Sequence, residues 1–266
     1  MIRIQRGPEP AALADIRTEE LARVRPIVLG GKLTSDSVGQ AYAVVKHDLW
    51  IQQAMRCCYC ESQIQPDYND VEHFRPKARA DRLNGKVDAG YWWLAWTWQN
   101  LLFSCAICNR SAKNDLFPLE HGSVPLLAEA QPPGGERSTL IDPCDEDPVE
   151  SIHFVFNGLH WQPVGRNGNV RGQRTIEILK LDRPDLLTIY DAHVDHQVKP
   201  RVDAVRDAIR RADVPLIKTA WHRVRGLLSP RMQFVALTFD AIEHLLPADQ
   251  RLPWDLEMPR PPIRGA

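Results

Sequence analysis

The sequence contains no long hydrophobic run. No apolar segment approaches the roughly 20 residues that a helix needs to cross a bilayer. The first twenty residues have no apolar core of the kind found in secretory signal peptides, and acidic residues arrive early. These absences argue against a membrane protein, and they predict a cytoplasmic protein without a membrane partner.

An excess of charge of one sign is also missing. The chain has 33 Lys and Arg against 34 Asp and Glu, for a formal net charge of −1. A strongly basic chain would indicate nucleic-acid binding over much of its surface. Any phosphate-binding surface in this chain must therefore be local. Internal repeats and low-complexity segments are absent as well, which argues against a solenoid or a disordered protein.

Cysteine, by contrast, is clustered. Two pairs of the Cys-x-x-Cys type occur, namely Cys57 with Cys60 and Cys105 with Cys108. In a reducing compartment, clustered cysteines are more often metal ligands than disulfides. Two such pairs supply four thiolates at the corners of a tetrahedron and leave no open position, so we predict a structural Zn²⁺ site.

Two further cysteines need an interpretation. Cys58 adjoins Cys57 and could compete as a ligand, but the two-residue gap favours Cys57 with Cys60. Cys144 lies far from both pairs, beside acidic residues and a proline, and we interpret it as structural.

Composition and periodicity predict four regions in an α+β protein. They are an N-terminal helical arm over 1–56, a compact cysteine-containing core over 57–120, a Pro/Gly-rich connection with a β-hairpin over 121–170, and a C-terminal helical region over 171–266. Within the core, the tryptophan-rich stretch 91–98 could stack on bases, but we favour packing of this stretch against residues 1–56 and the zinc-binding region.

Several polar residues recur around the cysteine pairs. Glu72 precedes His73, Asn100 precedes Leu101, Asn109 directly follows Cys108, and Lys113 lies four residues further on. This order resembles the pattern of the HNH endonucleases, the ββα-metal nucleases, in many of which two Cys-x-x-Cys pairs bracket the motif. The resemblance covers about residues 57–118 and implies a zinc-stapled ββα-metal core flanked by helices.

Several short segments indicate a subfamily within the HNH endonucleases. They are Cys57-Cys-Tyr-Cys-Glu61, Glu72-His-Phe-Arg-Pro-Lys77, Trp98-Gln-Asn-Leu101 and Phe117-Pro118. The chain is similar in these segments to the HNH proteins associated with retrons and with Septu. That resemblance implies an anti-phage defence nuclease that works beside an ABC/SMC-like ATPase.

The residue types suit phosphodiester hydrolysis. A neutral imidazole can deprotonate water at pH 7, and we assign that role to His73. The resemblance implies that Glu72 and Asn109 hold a catalytic Mg²⁺ or Mn²⁺, which prefers oxygen ligands, and that Asn100 supports the loop and orients the His73 ring. Because side chains alternate along a strand, Glu72 and His73 should not both reach one metal unless the strand ends or bends there.

Phosphate contacts are predicted for Arg75, Lys77 and Lys113. The substrate is predicted to be nucleic acid, DNA first and RNA second, and the resemblance implies products with 5′-phosphate and 3′-hydroxyl ends. Two alternatives stay open: an RNase effector, for example one that cleaves tRNA, and a zinc-ribbon adaptor that does not cut. A second metal site at His193 and His196 is not favoured, and we interpret both as surface residues.

Overall fold

The computed structural model describes residues 1–265, which form two compact units. The first unit comprises 5–59, 63–142 and Gly265, and the second comprises 1–4, 60–62 and 143–264. Helices and short strands occur in both units, so the predicted α+β class is confirmed. Within residues 1–265, every helix is too short or too polar to cross a membrane.

The helices of the first unit are α1 (Ala11–Leu29), α2 (Ser35–Val38) and α3 (Lys46–Gln52), with a 3₁₀ helix at Ala41–Val45. The sequence predicts one continuous helix from about Ser37 to Arg56, and this prediction is wrong. Gly39 adopts a φ of +75°, a conformation that side-chain-bearing residues rarely take, and it ends α2.

Two antiparallel strand pairs complete the first unit. Strand β1 (Asp70–His73) pairs with β4 (Leu101–Ser104), and both strands were predicted from their apolar runs. Strand β2 (Arg79–Asp81) pairs with β3 (Val87–Ala89), and β2 lies in the polar stretch from Lys77 to Gly85 that the sequence predicts to be a loop. These two strands are only three residues long, which is too short for an alternation of polar and apolar residues to be distinguished from a loop.

The tryptophan-rich stretch forms the core of the first unit. Trp96 and Trp98 are 0% and 2% exposed. The indole of Trp98 donates a hydrogen bond to the Gly7 carbonyl, and that of Trp93 donates to the Ala130 carbonyl. The Trp98 bond agrees with the predicted packing against residues 1–56, whereas Trp93 contacts a residue of the 121–170 connection. Rings as buried as those of Trp96 and Trp98 present no face on which a base could stack.

In the described residues, the second unit contains a hairpin and the α-helices named below, together with shorter 3₁₀ and π-helical segments. Strands β5 (Ile152–Phe156) and β6 (Trp161–Gly165) form the predicted hairpin. The helices that follow are α4 (Val170–Leu179), α5 (Pro184–His193), α6 (Lys199–Arg210), α7 (Val214–Gly226), α8 (Val235–Leu245) and α9 (Ala248–Arg251). Gly172 in α4 passes so close to the hairpin that a Cβ atom there would lie 2.0 Å from the Ser151 carbonyl oxygen.

His193 is not the surface residue that the sequence predicts. Its side chain lies in the core of the second unit, where Nε2 is 2.8 Å from the Thr238 hydroxyl and the ring packs edge-on against Phe234. Within residues 1–265, Nδ1 is buried without a hydrogen-bond partner. Among these residues the only group of ligand side chains close enough to hold a metal is the cysteine cluster described below.

We expect His193 to make the second unit sensitive to acid. Burial is the main cause that lowers the pKa of His193 to about 4, below its usual value of about 6.5. The unfolded chain therefore binds a proton first as the pH falls from 6.5 towards 4, and the folded state loses up to about 3 kcal/mol over that window.

The measurement is the free energy of unfolding of the wild type and of His193→Gln between pH 7 and 4. The glutamine keeps a hydrogen-bonding group near Thr238 but does not titrate. As the pH falls, the free energy of unfolding of the wild type should decrease relative to that of His193→Gln. Parallel plots of unfolding free energy against pH for the two proteins would contradict the expectation.

Candidate metal centre and active site

The four predicted zinc ligands lie together. The Sγ atoms of Cys57, Cys60, Cys105 and Cys108 are all within 4.8 Å of one another, and all four residues are buried. Sulfur atoms bound to one zinc at about 2.3 Å lie about 3.8 Å apart in a tetrahedron. The cluster therefore fits one tetrahedral Zn²⁺ with a complete shell.

Backbone donors support the same interpretation. The Cys105 amide lies 3.4 Å from the Cys57 sulfur, and the Cys108 amide lies 3.4 Å from the Cys105 sulfur. Amide hydrogen bonds to sulfur favour the thiolate form, which is the form that binds zinc. Strand β4 ends at Ser104, so Cys105 directly follows the strand that pairs with β1.

His73 ends β1 and is held by one hydrogen bond. Its Nε2 lies 2.9 Å from the Ala95 carbonyl oxygen. Because a carbonyl oxygen can only accept, Nε2 carries the proton and Nδ1 keeps its lone pair. The ring of Tyr42 packs edge-on against the imidazole with centroids 4.5 Å apart. Within residues 1–265, Nδ1 of His73 has no hydrogen-bond partner.

The surroundings of His73 keep it neutral. Burial is the largest cause that lowers the pKa of His73 to about 3, and the nearby charge of Lys77 lowers it further. The Ala95 carbonyl acts in the opposite direction. The side chain is nevertheless not sealed off, because it lines a small cavity of about 170 Å³.

Glu72 is directed away from the His73 ring by the alternation of β1. Its Oε1 is 2.7 Å from the ammonium of Lys113 and accepts a hydrogen bond from the Tyr59 hydroxyl at 3.2 Å. Lys113 also donates to the His73 carbonyl at 2.9 Å. Within residues 1–265, Oε2 of Glu72 has no partner, and Glu72 contributes to the lining of the small cavity.

Asn109 reaches the same cavity from the helical segment that begins at Ile107. Its Nδ2 donates to Asp70 at 3.1 Å, which leaves Oδ1 as an acceptor without a partner in the described chain. Asp70 in turn pairs with Arg110, whose Nε lies 2.8 Å from the carboxylate. Glu72, His73 and Asn109 thus line one cavity.

Asn100 does not contact the cavity. Its side-chain oxygen accepts from the Arg75 amide at 2.8 Å, and its Nδ2 donates to the carbonyls of Arg75 and Leu94 at 3.0 and 3.2 Å. The His73 ring donates its hydrogen bond to the Ala95 carbonyl oxygen and not to Asn100. Asn100 therefore bonds Leu94, the residue before Ala95, and forms no hydrogen bond with the ring among the described residues.

The three predicted phosphate contacts differ in exposure. Lys113 is fully buried in its pair with Glu72. The Arg75 guanidinium is 2.8 Å from the buried carboxylate of Glu136. Lys77 alone lines the cavities beside His73. The placement of Lys113 and Arg75 gives no support to a phosphate contact, because both cations are already bonded within the chain.

Some residues of the site carry no signal in the sequence. A larger cavity of about 550 Å³ adjoins the first, and the two share Ser35, Tyr42, Val71, Lys77 and Asn109. Ser35 and Tyr42 come from the N-terminal helical segments, and the decisive atom of Ala95 is a backbone oxygen. A motif fixes residue types near one another in the chain, so it could not indicate these contributions.

We predict that the purified protein binds one zinc ion per chain through the four cysteines. Cys105→Ser should lower zinc affinity by at least tenfold, since losing even an outer-shell partner has about that effect, and it should lower the melting temperature. The measurement is metal analysis together with thermal unfolding. Cys144→Ser is the control and should change neither quantity, and full zinc retention by Cys105→Ser would contradict the assignment.

A second prediction concerns the buried pair of Glu72 and Lys113. Lys113→Met leaves a buried carboxylate without its cation and should cost about 3–5 kcal/mol of unfolding free energy. The double variant Glu72→Gln with Lys113→Met should recover part of this loss, because no buried charge then remains.

Denaturant unfolding of the four proteins of this cycle measures the coupling. Arg110→Met is the control, because Arg110 pairs with Asp70 on the surface, and it should lose much less stability. If Lys113→Met were as stable as the wild type, the ion pair would have no structural role.

Comparisons with known proteins give two relatives. The chain is 34% identical to the Septu protein PtuB of Bacillus mycoides strain KBAB4 over 194 residues, which are 70% of this chain and 64% of PtuB. It is 25% identical to the Septu protein PtuA of the same strain over 130 residues, 48% of this chain and 18% of PtuA. The match thus spans less than two thirds of either relative. No protein-family model and no solved structure matches the chain.

Proposed function

We propose that this chain is a metal-dependent nuclease of the HNH type that hydrolyses phosphodiester bonds in nucleic acid. The observation that carries the proposal is the His73 imidazole. It is held through Nε2 with its unprotonated Nδ1 without a partner, at a cavity that Glu72 and Asn109 also line. A buried histidine with only a structural role would have no need of a cavity or of oxygen donors beside it.

His73 is the general base in this proposal. At pH 7 the ring is neutral, so Nδ1 can take a proton from a water molecule while the water oxygen attacks phosphorus and the bond to the leaving oxygen breaks. In the imidazolium that forms, Nε2–H continues to donate a hydrogen bond to the Ala95 carbonyl oxygen, and this bond favours the charged ring. The leaving oxygen takes a proton from solvent and becomes the 3′-hydroxyl, and the His73 ring returns its extra proton to solvent. Asn100 is a positioning residue, since it bonds the Leu94 carbonyl next to Ala95.

Oxygen donors at the cavity fit a hard divalent cation. Oε2 of Glu72 and Oδ1 of Asn109 have no partner in the described chain and are the two ligands that we propose for Mg²⁺ or Mn²⁺. When bound, such an ion neutralises charge on the phosphate and on the leaving oxygen. Lys113 occupies the other oxygen of Glu72, so we assign it a positioning role instead of a phosphate contact.

A role in anti-phage defence is proposed together with the activity. The similarity to PtuB, a Septu protein, supports membership of a Septu system. The weaker similarity to PtuA is compatible with a chain that acts within such a system. We propose that the nuclease is its effector and that an ABC/SMC-like ATPase is its partner, as the sequence motifs imply.

The substrate is proposed to be DNA, with RNA as the second candidate. The residues at the cavity can bind a phosphate and a cation, and these are common to both nucleic acids. Products with a 5′-phosphate and a 3′-hydroxyl are part of the proposal. A zinc-ribbon adaptor that does not cut is the competing function from another class, and the following experiment separates the two.

We expect His73→Ala to abolish cleavage and to leave the zinc site intact. Loss of a general base typically lowers the rate by about 10²–10⁴-fold. The assay uses plasmid DNA and structured RNA with Mg²⁺ or Mn²⁺, with and without the proposed ATPase partner. His222→Ala is the control, because His222 is an exposed histidine of the second unit and its loss should not change the rate.

Zinc content and melting temperature are measured on the same variants. A wild-type protein that cuts neither nucleic acid with any metal, even with its partner present, would favour the adaptor. Full activity of a folded His73→Ala protein would remove His73 from the mechanism.

A further inference from the structure

The larger cavity continues the small cavity that His73 lines. Its volume is about 550 Å³, roughly three times that of the small cavity, and the two share five lining residues. One of these is Lys77, so its side chain stands at the junction. A molecule that occupied both cavities would extend from the position of the attacked phosphorus past Lys77.

Charge differs between the two cavities. The small cavity is lined by the carboxylates of Glu72 and Asp115 and by the cation Lys77. Both carboxylates are paired with cations outside the cavity, Glu72 with Lys113 and Asp115 with Arg79. The larger cavity is lined by the cations Lys46, Lys77 and Arg110 against two carboxylates, Asp67 and Asp70. Because Arg110 bonds Asp70 through two nitrogens, the pair leaves little net charge for a ligand.

Lys46 and Lys77 are the cations in the larger cavity that have no carboxylate partner. Within residues 1–265, Lys46 forms no hydrogen bond and no ion pair. Lys77 donates to the Tyr42 hydroxyl at 2.6 Å and lies 4.5 Å from the centre of that ring, so Tyr42 fixes its position. Many other cations of the chain are paired with a carboxylate, such as Arg75 and Arg82.

We propose that the larger cavity binds the backbone of a polynucleotide strand beside the scissile bond, with Lys46 on the adjacent phosphate and Lys77 at the junction. This deepens the proposed nuclease function and rests on it. Lysine is a compact point charge that suits a phosphate oxygen. Phosphate contacts fix the position of a strand but carry no sequence information, so binding here is independent of the bases.

The test measures strand binding separately from cleavage. The full chain carrying His73→Ala binds a labelled single-stranded oligonucleotide, as DNA and as RNA and in two base compositions, at several KCl concentrations. Adding Lys46→Ala should weaken binding by roughly threefold to tenfold for every oligonucleotide, and should lower the slope of log affinity against log salt by about 0.7.

Three matched variants sharpen the result. Lys46→Arg keeps the charge and should bind like the parent. Asp67→Asn removes a carboxylate from the same cavity and should tighten binding. Lys32→Ala removes an exposed lysine of the same unit that does not line the cavity, so it should change neither the affinity nor the slope.

The inference is overturned if Lys46→Ala and Lys32→Ala give the same affinity and slope, or if the His73→Ala chain binds no oligonucleotide. Cleavage by the wild type is scored independently. A slope change at Lys46 without any cleavage would refute the nuclease and leave the strand site. Cleavage without an effect at Lys46 would refute the strand site and leave the nuclease.

Discussion

The antiparallel pairing of β1 with β4 is the constraint on which the candidate site depends. Its register places His73 opposite Leu101, so the end of β1 lies beside Asn100. At the other end of the pair, Asp70 lies opposite Ser104, which precedes Cys105. The alternation of side chains along β1 then separates Glu72 from His73. The strand ends at His73, and the side chains of Glu72 and His73 both line the small cavity.

The two oxygens of the buried Glu72 carboxylate have different surroundings. A carboxylate in the interior is costly unless it is paired, and Lys113 supplies the charge at Oε1 while Tyr59 adds a hydrogen bond. The second oxygen has no partner in the described chain, so pairing does not consume the whole group. Lys113 also bonds the His73 carbonyl, and the segment that follows Cys108 is in this way attached to both residues.

Near-zero net charge and an anionic substrate are compatible because the charges are distributed unevenly. Arg75 and Arg82 are used inside the first unit, where they bond carboxylates in a buried network. Lys46 and Lys77 form no ion pair in the described chain. The bulk charge of a chain therefore says little about a local surface, since pairing removes most cations from any role in binding.

The sequence by itself determined the short-range features: the four clustered thiolates, strands β1 and β4, the hairpin of the second unit and the α+β class. Each rests on residue type and local spacing, which backbone geometry converts directly into structure. It did not determine which atoms complete the site. The Ala95 carbonyl, Tyr42 and Lys46 come from segments distant in the chain, and Lys113 and His193 proved to be buried. Only tertiary packing decides such matters, because burial and the choice of a partner depend on which segments meet.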